Sequence, residues 1–320
     1  MTMDAGRAGV AEAAGGPVPG SAVEPLVWLN GTAVDAAASH ISALDRGFTL
    51  ADGLFETVRL YHGVPFRLDR HLARLAGGAT VLGIELPGSL GAQVSAAVRG
   101  ARDAWTVQGE EGGVRDGAMR ITVTRGSGGR GVAPAVVGTP TVAIVLHPLS
   151  PSPASAPDES PPLLARTARA RRNEHAATAG VKTLAYVEAV LALAEARAAG
   201  ADDAIFLDTA GHVSEGTSSN VFAVRRGTLV TPPRSCGVLP GITREAVLEL
   251  AGALGIPAAE RELSPAEIAA ADELFLTSSI REIAPVISLD GHAIGTAHVG
   301  VVTRRIREAF HALVAAECAP

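Results

Sequence analysis

A proline-rich stretch near the middle of the chain constrains the fold more than any other feature. Six prolines fall within residues 148–162, among serines, alanines and acidic residues. Proline donates no backbone hydrogen bond and interrupts helices, so this stretch belongs neither to a helix nor to a central strand. The sequence therefore predicts a linker over residues 148–162, between a small domain at residues 26–147 and a larger one at residues 163–320.

The two halves carry different patterns of apolar residues. The first predicts a hairpin turning at Asn30-Gly31, several strands and two helices, one beginning at Asp69 after a strand at residues 64–68, which is typical of an α+β domain. The second alternates short strands with helices, including one at residues 264–271, and indicates a barrel-like α/β body. The predicted fold class is α/β. A dinucleotide fold is not supported, because no Gly-x-Gly-x-x-Gly motif follows a strand and opens a helix.

Composition excludes several classes of protein. A net charge of −6 and a pI near 5.9 argue against nucleic-acid partners or an anionic membrane surface, and no apolar run reaches the length of a membrane span. Residues 1–25 lack an apolar stretch behind a basic start, so we expect a disordered tail rather than a signal peptide. Cys236 and Cys318 form neither a disulfide framework nor a metal-binding spacing, which favours the cytoplasm.

The chain contains a single lysine, Lys182, beside 26 arginines. Arginine replaces lysine as a surface charge, but only a desolvated lysine amine loses its proton and attacks a carbonyl. Lys182 is therefore either a nucleophile or a residue left by chance, and its apolar neighbours favour the nucleophile. A Schiff base would link it to an aldehyde cofactor, of which pyridoxal 5'-phosphate is the commonest.

A pyridoxal site also needs an acid for the ring nitrogen, an anion pocket for the phosphate and often a donor to the phenolic oxygen. Glu215 lies among small residues that would let a flat ring approach, although a surface turn has the same composition. Residues 237–244 lead into a helix start whose amides suit a phosphate or a plain N-cap. Ser278 and Ser279 offer hydroxyls to the same anion, and Tyr186 follows Lys182 by one turn, where a core tyrosine is the alternative.

Taken together and in this order, these segments resemble the class IV aminotransferases, the pyridoxal-phosphate enzymes of fold type IV. That family includes D-amino-acid transaminases, branched-chain aminotransferases, R-selective amine transaminases and aminodeoxychorismate lyases. The resemblance covers residues 27–315. Its matching segments are Leu-Asp-Arg-Gly-Phe at 44–48, Asp-Gly-Leu-Phe-Glu-Thr-Val-Arg at 52–59, His-Leu-Ala-Arg-Leu at 71–75, Lys182, Glu215, residues 239–244 and residues 277–279.

The resemblance implies a role for each matching residue. Lys182 would form the Schiff base and move the proton, Glu215 would pair with the pyridine nitrogen, and Arg74 would bind the phosphate, although helical spacing alone places Arg74 on a solvated face. The other cofactor contacts that we expect are Tyr186, Leu239, Ile242, Thr243, Ser278 and Ser279. The resemblance also implies a cofactor cleft between the two domains and a homodimer.

The substrate end of the sequence is ambiguous. Arg130 matches the arginine of an Arg-x-His pair that binds the substrate carboxylate in D-amino-acid transaminases, but Val132 stands in place of the histidine. Phe55 stands where those enzymes have a tyrosine facing the substrate. Arg59 is expected to supply the missing charge, since a buried arginine needs a partner. The alternative is that Arg59 or Arg130 pairs with an acid of the protein itself.

These residues rank the possible functions. We predict a transaminase that moves an amino group between a D-amino acid, or a small primary amine, and a 2-keto acid. The alternative is aminodeoxychorismate lyase, because the Arg-Gly-Ser-Gly-Gly-Arg-Gly run at 125–131 also resembles that enzyme. A branched-chain aminotransferase ranks third, since no Tyr-x-Arg-Pro motif occurs near residue 120. A pyridoxal carrier without catalysis is disfavoured, because binding alone needs neither Lys182 nor Glu215.

Overall fold

The computed structural model describes residues 24–106, 114–128, 131–133, 138–149 and 161–319. Residues 1–23 of the predicted tail and residues 150–160 of the predicted linker lie outside the described parts of the chain. No helix of the described residues is long and apolar enough to cross a membrane.

A six-stranded antiparallel sheet occupies the first half of the described chain, in the order β2-β1-β6-β5-β3-β4. The predicted hairpin is present, with its turn at Asn30-Gly31. The strands are β1 (Leu26–Leu29), β2 (Thr32–Val34), β3 (Gly53–Tyr61), β4 (Val64–Pro65), β5 (Gly117–Thr124) and β6 (Thr141–Pro148). The helices of this half are α1 (Arg46–Leu50), α2 (Leu68–Leu82) and α3 (Leu90–Ala104).

Strand β3 is central to everything that follows, because it is buried along nearly its whole length. Successive side chains of a strand point to opposite faces of the sheet. Leu54, Val58 and Leu60 join the apolar core beneath α2 and α3. Phe55 and Tyr61 have the opposite parity and therefore face the second half of the molecule, as does every odd-numbered residue of β3.

The second half forms a larger sheet that closes on itself. The strands β10, β13, β14, β7, β8 and β9 pair in that order, and β9 pairs with β10 to complete a ring. The strands are β7 (Leu163–Arg172), β8 (Asp203–Asp208), β9 (Val213–Gly216), β10 (Asn220–Arg225), β11 (Thr228–Thr231), β12 (Ala258–Glu260), β13 (Glu273–Ser278), β14 (Glu282–Leu289) and β15 (His292–Ala293). The helices are α4 (Val187–Ala198), α5 (Ile242–Ala253), α6 (Pro265–Ala269) and α7 (Val301–Glu317). The predicted barrel-like α/β body is therefore present.

A shared apolar cluster joins the two halves. Helices α5 and α7 pack on β10 and β13, and two aromatic residues of the first half, Tyr61 and Phe66, belong to the same cluster. The Phe66 ring meets that of Phe310 on α7 edge to face, with ring centroids 5.6 Å apart. The face of β3 that carries Tyr61 is thereby held against the barrel.

The observed elements differ from the predicted ones at a few ends. The strand predicted at residues 64–68 ends at Pro65, because Arg67 has φ of 48° and begins the turn into α2. The helix predicted at residues 264–271 ends at Ala269, although Ser264 caps it in a complete capping box. Helix α1 was not predicted. It forms because the Asp45 side chain accepts a hydrogen bond from the Gly47 amide at 2.7 Å.

Candidate active site

Lys182 reaches the site through an added strand pairing with β3. The Phe55 amide donates to the Lys182 carbonyl at 3.0 Å, and the Leu184 amide donates to the Gly53 carbonyl at 3.1 Å. This pairing places Lys182 Nζ 4.5 Å from the centroid of the Phe55 ring and 3.4 Å from the Tyr186 hydroxyl. Among the described residues no carboxylate forms an ion pair with this amine, so it is available to a carbonyl carbon.

Glu215 lies where the barrel closes, opposite Asn220 in the single pairing between β9 and β10. Its carboxylate accepts a hydrogen bond from the Leu239 amide at 2.9 Å and lies 3.2 Å from the Arg172 guanidinium. Burial raises the pKa of Glu215 above its ordinary value, and the charge of Arg172 only partly opposes this rise. A buried carboxyl of raised pKa is suited to sharing a proton with a ring nitrogen.

Arg74 projects from α2 into the same cavity and is held rigidly by Glu56. Its Nε and NH2 groups donate to the two Glu56 oxygens, both at 2.7 Å, and its NH1 group donates to the Pro240 carbonyl at 2.7 Å. His71 contacts the same carboxylate at 2.7 Å. Burial would raise the pKa of Glu56, but the hydrogen bonds from Arg74 and His71 outweigh it and hold the pKa at about 2. Arg74 is thus not on the solvated face that spacing alone suggests.

The start of α5 supplies backbone donors on the opposite side of the cavity. The first helical hydrogen bond runs from the Glu245 amide to the Gly241 carbonyl, so the amides of Ile242 and Thr243 precede the helical ladder. Such a helix start favours an anion. A side chain at Gly241 would overlap the Asn220 amide, which explains the glycine at this bend.

Two buried hydroxyls in the cavity have no partner within the described structure. They belong to Ser219 and Thr277, and each is a buried oxygen without a hydrogen bond. Unpaired buried polar groups are costly, so both indicate a polar ligand. The cavity measures about 430 Å³. Its lining includes most of the predicted cofactor residues, namely Arg74, Lys182, Tyr186, Glu215, Leu239, Ile242, Thr243, Ser278 and Ser279.

This set of donors fits pyridoxal 5'-phosphate. Arg74, the α5 amides and the hydroxyls of Ser278 and Ser279 suit a phosphate dianion at one end of the cavity. Glu215 suits a pyridine nitrogen at the other end, and Lys182 lies between them with a free amine for an aldehyde. These roles for the cofactor residues remain predictions, now supported by their common cavity.

The predicted substrate residues do not share that arrangement. Phe55 is placed beside Lys182, whereas Arg130 lies outside the described residues. The expectation that Arg59 binds a substrate carboxylate is not supported, because the protein supplies its partners. Its guanidinium lies 3.2 Å from an Asp116 oxygen and 3.6 Å from a Glu282 oxygen, and it is not part of the cavity lining. The alternative of an internal ion pair describes Arg59.

Arg120 is a functional residue that the sequence analysis missed. Its guanidinium stacks on Phe55, 3.6 Å from the ring centroid, and its Nε donates to Thr122 Oγ1 at 3.2 Å. The register of β3 and β5 pairs Thr57 with Arg120, so Arg120 shares a face with Phe55. Among the described residues no acid pairs with Arg120. Strand alternation combined with this register could have indicated it, but the register is not readable from sequence.

Arg172 and Glu56 were also missed. Each acts through a partner that is distant along the chain or on another element: Arg172 beside Glu215, and Glu56 around Arg74. Glu56 has a visible signal, since a charged residue in the buried strand β3 requires a partner of opposite charge. Arg172 follows several other arginines in β7, and nothing in the sequence distinguishes it from them.

Comparison with known proteins agrees with this geometry. Residues 53–289 match the family described as amino-transferase class IV. A putative branched-chain-amino-acid aminotransferase of Methanocaldococcus jannaschii is 36% identical over 291 residues, which cover 89% of this chain and 94% of that protein. The D-alanine aminotransferase of Bacillus licheniformis is 31% identical over 293 residues, covering 92% and 98%.

A solved structure supports the fold as well. The 4-amino-4-deoxychorismate lyase of Pseudomonas aeruginosa superposes with a TM-score of 0.74 at 35% identity, covering 90% of this chain and 98% of that one. The resemblance to the class IV family, the fold type IV architecture and pyridoxal phosphate as the cofactor are thereby confirmed.

Proposed function

Because the chain belongs to the class IV aminotransferases, we propose that it transfers an amino group from a branched-chain amino acid to a 2-keto acid. The observation that carries the proposal is Arg120, an arginine without an acidic partner that is stacked on an aromatic ring beside Lys182. A cation there suits the carboxylate of an amino acid or keto acid. The rings of Phe55 and Tyr186, whose centroids are 5.1 Å apart, provide an apolar wall for the donor side chain.

The chemistry follows from the placement of the protein's own groups. Pyridoxal phosphate, when bound, acts as the electron sink that stabilises negative charge at the substrate Cα. Lys182 Nζ removes the proton from Cα and returns a proton to complete the transfer. Glu215 keeps the ring nitrogen hydrogen-bonded, and Tyr186, 3.4 Å from Nζ, orients the amine. Arg74 anchors the phosphate, so that the reacting carbon stays beside Lys182.

Arg120 also favours an amino acid over a small primary amine. An amine without a carboxylate would leave the guanidinium unpaired beside the apolar rings, whereas a carboxylate would neutralise it. The D-amino-acid preference drawn from the sequence depends on Arg130, which is not among the described residues. The relative with 36% identity is a putative branched-chain enzyme, so we rank the branched-chain donor first and the D-amino acid second.

The lyase is a separate candidate, supported by the Arg-Gly-Ser-Gly-Gly-Arg-Gly run and by the similarity to the Pseudomonas enzyme. A substrate panel separates the candidates. Purified holoenzyme is given L-leucine, D-leucine, D-alanine or (R)-1-phenylethylamine with 2-oxoglutarate, and aminodeoxychorismate alone. We expect glutamate to form fastest with L-leucine. Faster turnover of D-alanine would reverse the order of the donors, and release of 4-aminobenzoate without glutamate would replace the transaminase by the lyase.

We also propose a homodimer. Helix α4 exposes Val187, Val190 and Leu191, at 69%, 63% and 59% of their surface, on one face directly after the Lys182 segment. An exposed apolar face of this kind is typical of an interface. The double substitution Val190→Glu with Leu191→Glu is expected to halve the mass measured by light scattering. An unchanged mass would assign the interface elsewhere or, for a monomeric wild type, remove the proposal.

Residence in the cytoplasm is proposed on the two cysteines. Cys236 and Cys318 are both buried and unpaired, which suits a reducing compartment. Cell fractionation with an antibody tests it, and recovery of the protein in an extracytoplasmic fraction would contradict it.

A further inference from the structure

The turn at residues 279–281 joins β13 to β14 and forms one wall of the cavity. Ser278 and Ser279 line the cavity directly before it. Two local contacts shape this turn: the Arg281 amide donates to Ser278 Oγ at 3.1 Å, and the Arg281 guanidinium donates to the buried Asp203 at 2.9 Å. Both contacts come from the barrel itself.

A third contact comes from the other half of the chain. The NH1 group of Arg59, on β3, donates to the Ile280 carbonyl at 2.7 Å, across 221 positions of sequence. Ile280 follows Ser279 directly, so this hydrogen bond holds the middle of the turn. The small sheet therefore grips the cavity wall through one side chain.

Arg59 is itself fixed by a buried network of acids. Asp116 and Glu282 lie within 3.6 Å of its guanidinium, and Glu282 accepts a hydrogen bond from the Tyr61 hydroxyl at 2.7 Å. His311 contacts the second Glu282 oxygen at 3.1 Å. Two carboxylates already surround one guanidinium, so a substrate carboxylate would be repelled there rather than bound.

The backbone at Glu282 makes the turn sensitive to this network. Glu282 has φ of 55°, a left-handed conformation that non-glycine residues rarely adopt, and it is the first residue after the turn. Such a conformation persists where the surroundings determine it. The hydrogen bonds to its carboxylate from Tyr61 and His311 are the contacts that do so here.

We propose that Arg59 is a positioning residue for the cofactor phosphate. By holding the Ile280 carbonyl, it keeps Ser278 and Ser279 turned into the cavity and couples phosphate binding to the docking of the small sheet on the barrel. The proposal depends on the cofactor site described above but not on the identity of the amino donor.

Cofactor affinity without substrate is the direct test. Cofactor-free Arg59→Met protein is titrated with pyridoxal phosphate, and binding is followed by absorbance. We expect affinity to fall about tenfold or more, the size expected for losing a hydrogen bond from a charged donor at the turn. Arg59→Lys should restore part of it, because an ammonium also donates to the Ile280 carbonyl.

Arg67→Met is the matched control. Arg67 also bridges the two halves, through Glu249 at 2.7 Å and Glu317 at 3.1 Å, but it does not contact the turn. We expect this variant to lose thermal stability while retaining cofactor affinity.

Equal affinities in Arg59→Met and Arg67→Met would overturn the proposal. A raised KM for carboxylate-bearing donors with unchanged cofactor affinity would also overturn it and would make Arg59 a substrate ligand. If Arg59→Met does not fold, Arg59→Lys decides: wild-type cofactor affinity combined with wild-type KM is compatible with positioning, and wild-type cofactor affinity with a raised KM is not. Failure of the branched-chain proposal would leave all these titrations unaffected.

Discussion

Glu56 is the residue on which the orientation of Arg74 depends, and its replacement by glutamine has a calculable effect. The carboxylate is fully buried and accepts two hydrogen bonds from Arg74 and one contact from His71, each at 2.7 Å. Together these lower its pKa from the ordinary 4.5 to about 2. At roughly 1.4 kcal/mol per pKa unit, the folded state stabilises the ionised form by about 3 kcal/mol.

The Glu56→Gln variant should therefore lose about 3 kcal/mol of free energy of unfolding at pH 7, since glutamine turns an NH2 group toward donors that have no other acceptor. The stabilisation by Glu56 is present above about pH 4.5 and is lost as the pH falls toward 2, because the folded pKa is the lower one. Urea unfolding of wild type and variant, from pH 7 down to the lowest pH at which both fold, measures the difference. It should be constant above pH 4.5 and shrink below it.

Glu245→Gln provides the matched control. Glu245 pairs with Arg70 at 2.6 Å, on the same side of the cavity, but the two side chains are 40% and 52% exposed. Exposed pairs contribute about 0–1 kcal/mol, so this control should cost at most that. The reasoning would be refuted if Glu56→Gln and Glu245→Gln lost the same free energy, or if the loss in Glu56→Gln stayed constant down to pH 3.

Two further substitutions test the catalytic assignments. Arg120→Met should raise KM for the amino acid about tenfold to a hundredfold while leaving turnover of an amine without a carboxylate unchanged, because one charge-assisted contact is lost; equal effects on both donors, in steady-state assays beside Arg166→Met as a surface control, would contradict this. Glu215→Gln should lower kcat about a hundredfold at full cofactor occupancy, since a neutral amide cannot keep a proton on the ring nitrogen; a kcat within a factor of three of wild type would remove Glu215 from that role.

Local pattern predicts much of this molecule. The prolines of residues 148–162 separate the two halves, and alternation and helical spacing locate most strands and both long helices of the small sheet. The site followed from the uniqueness of Lys182 and from motifs such as Glu215 among small residues. These features are encoded by residues close together in sequence.

What the sequence could not provide depends on register and on contacts between distant segments. Arg120 becomes visible only when β5 pairs with β3 and places it over Phe55. Arg59 was expected to need an external carboxylate, because neither Asp116 nor Glu282 is near it in sequence. A buried charge announces that it has a partner, but only the tertiary structure says which one.

The central claim is that Lys182 forms the covalent link to pyridoxal phosphate, and the composition makes its test unusually clean. With a single lysine in the sequence, the only other primary amine is the N-terminus. The purified protein is incubated with pyridoxal phosphate, reduced with borohydride, digested and mapped by mass spectrometry. We expect one phosphopyridoxyl group per chain, on the peptide that contains Lys182. An unmodified Lys182 peptide, with label absent or found only at the N-terminus, would contradict the claim.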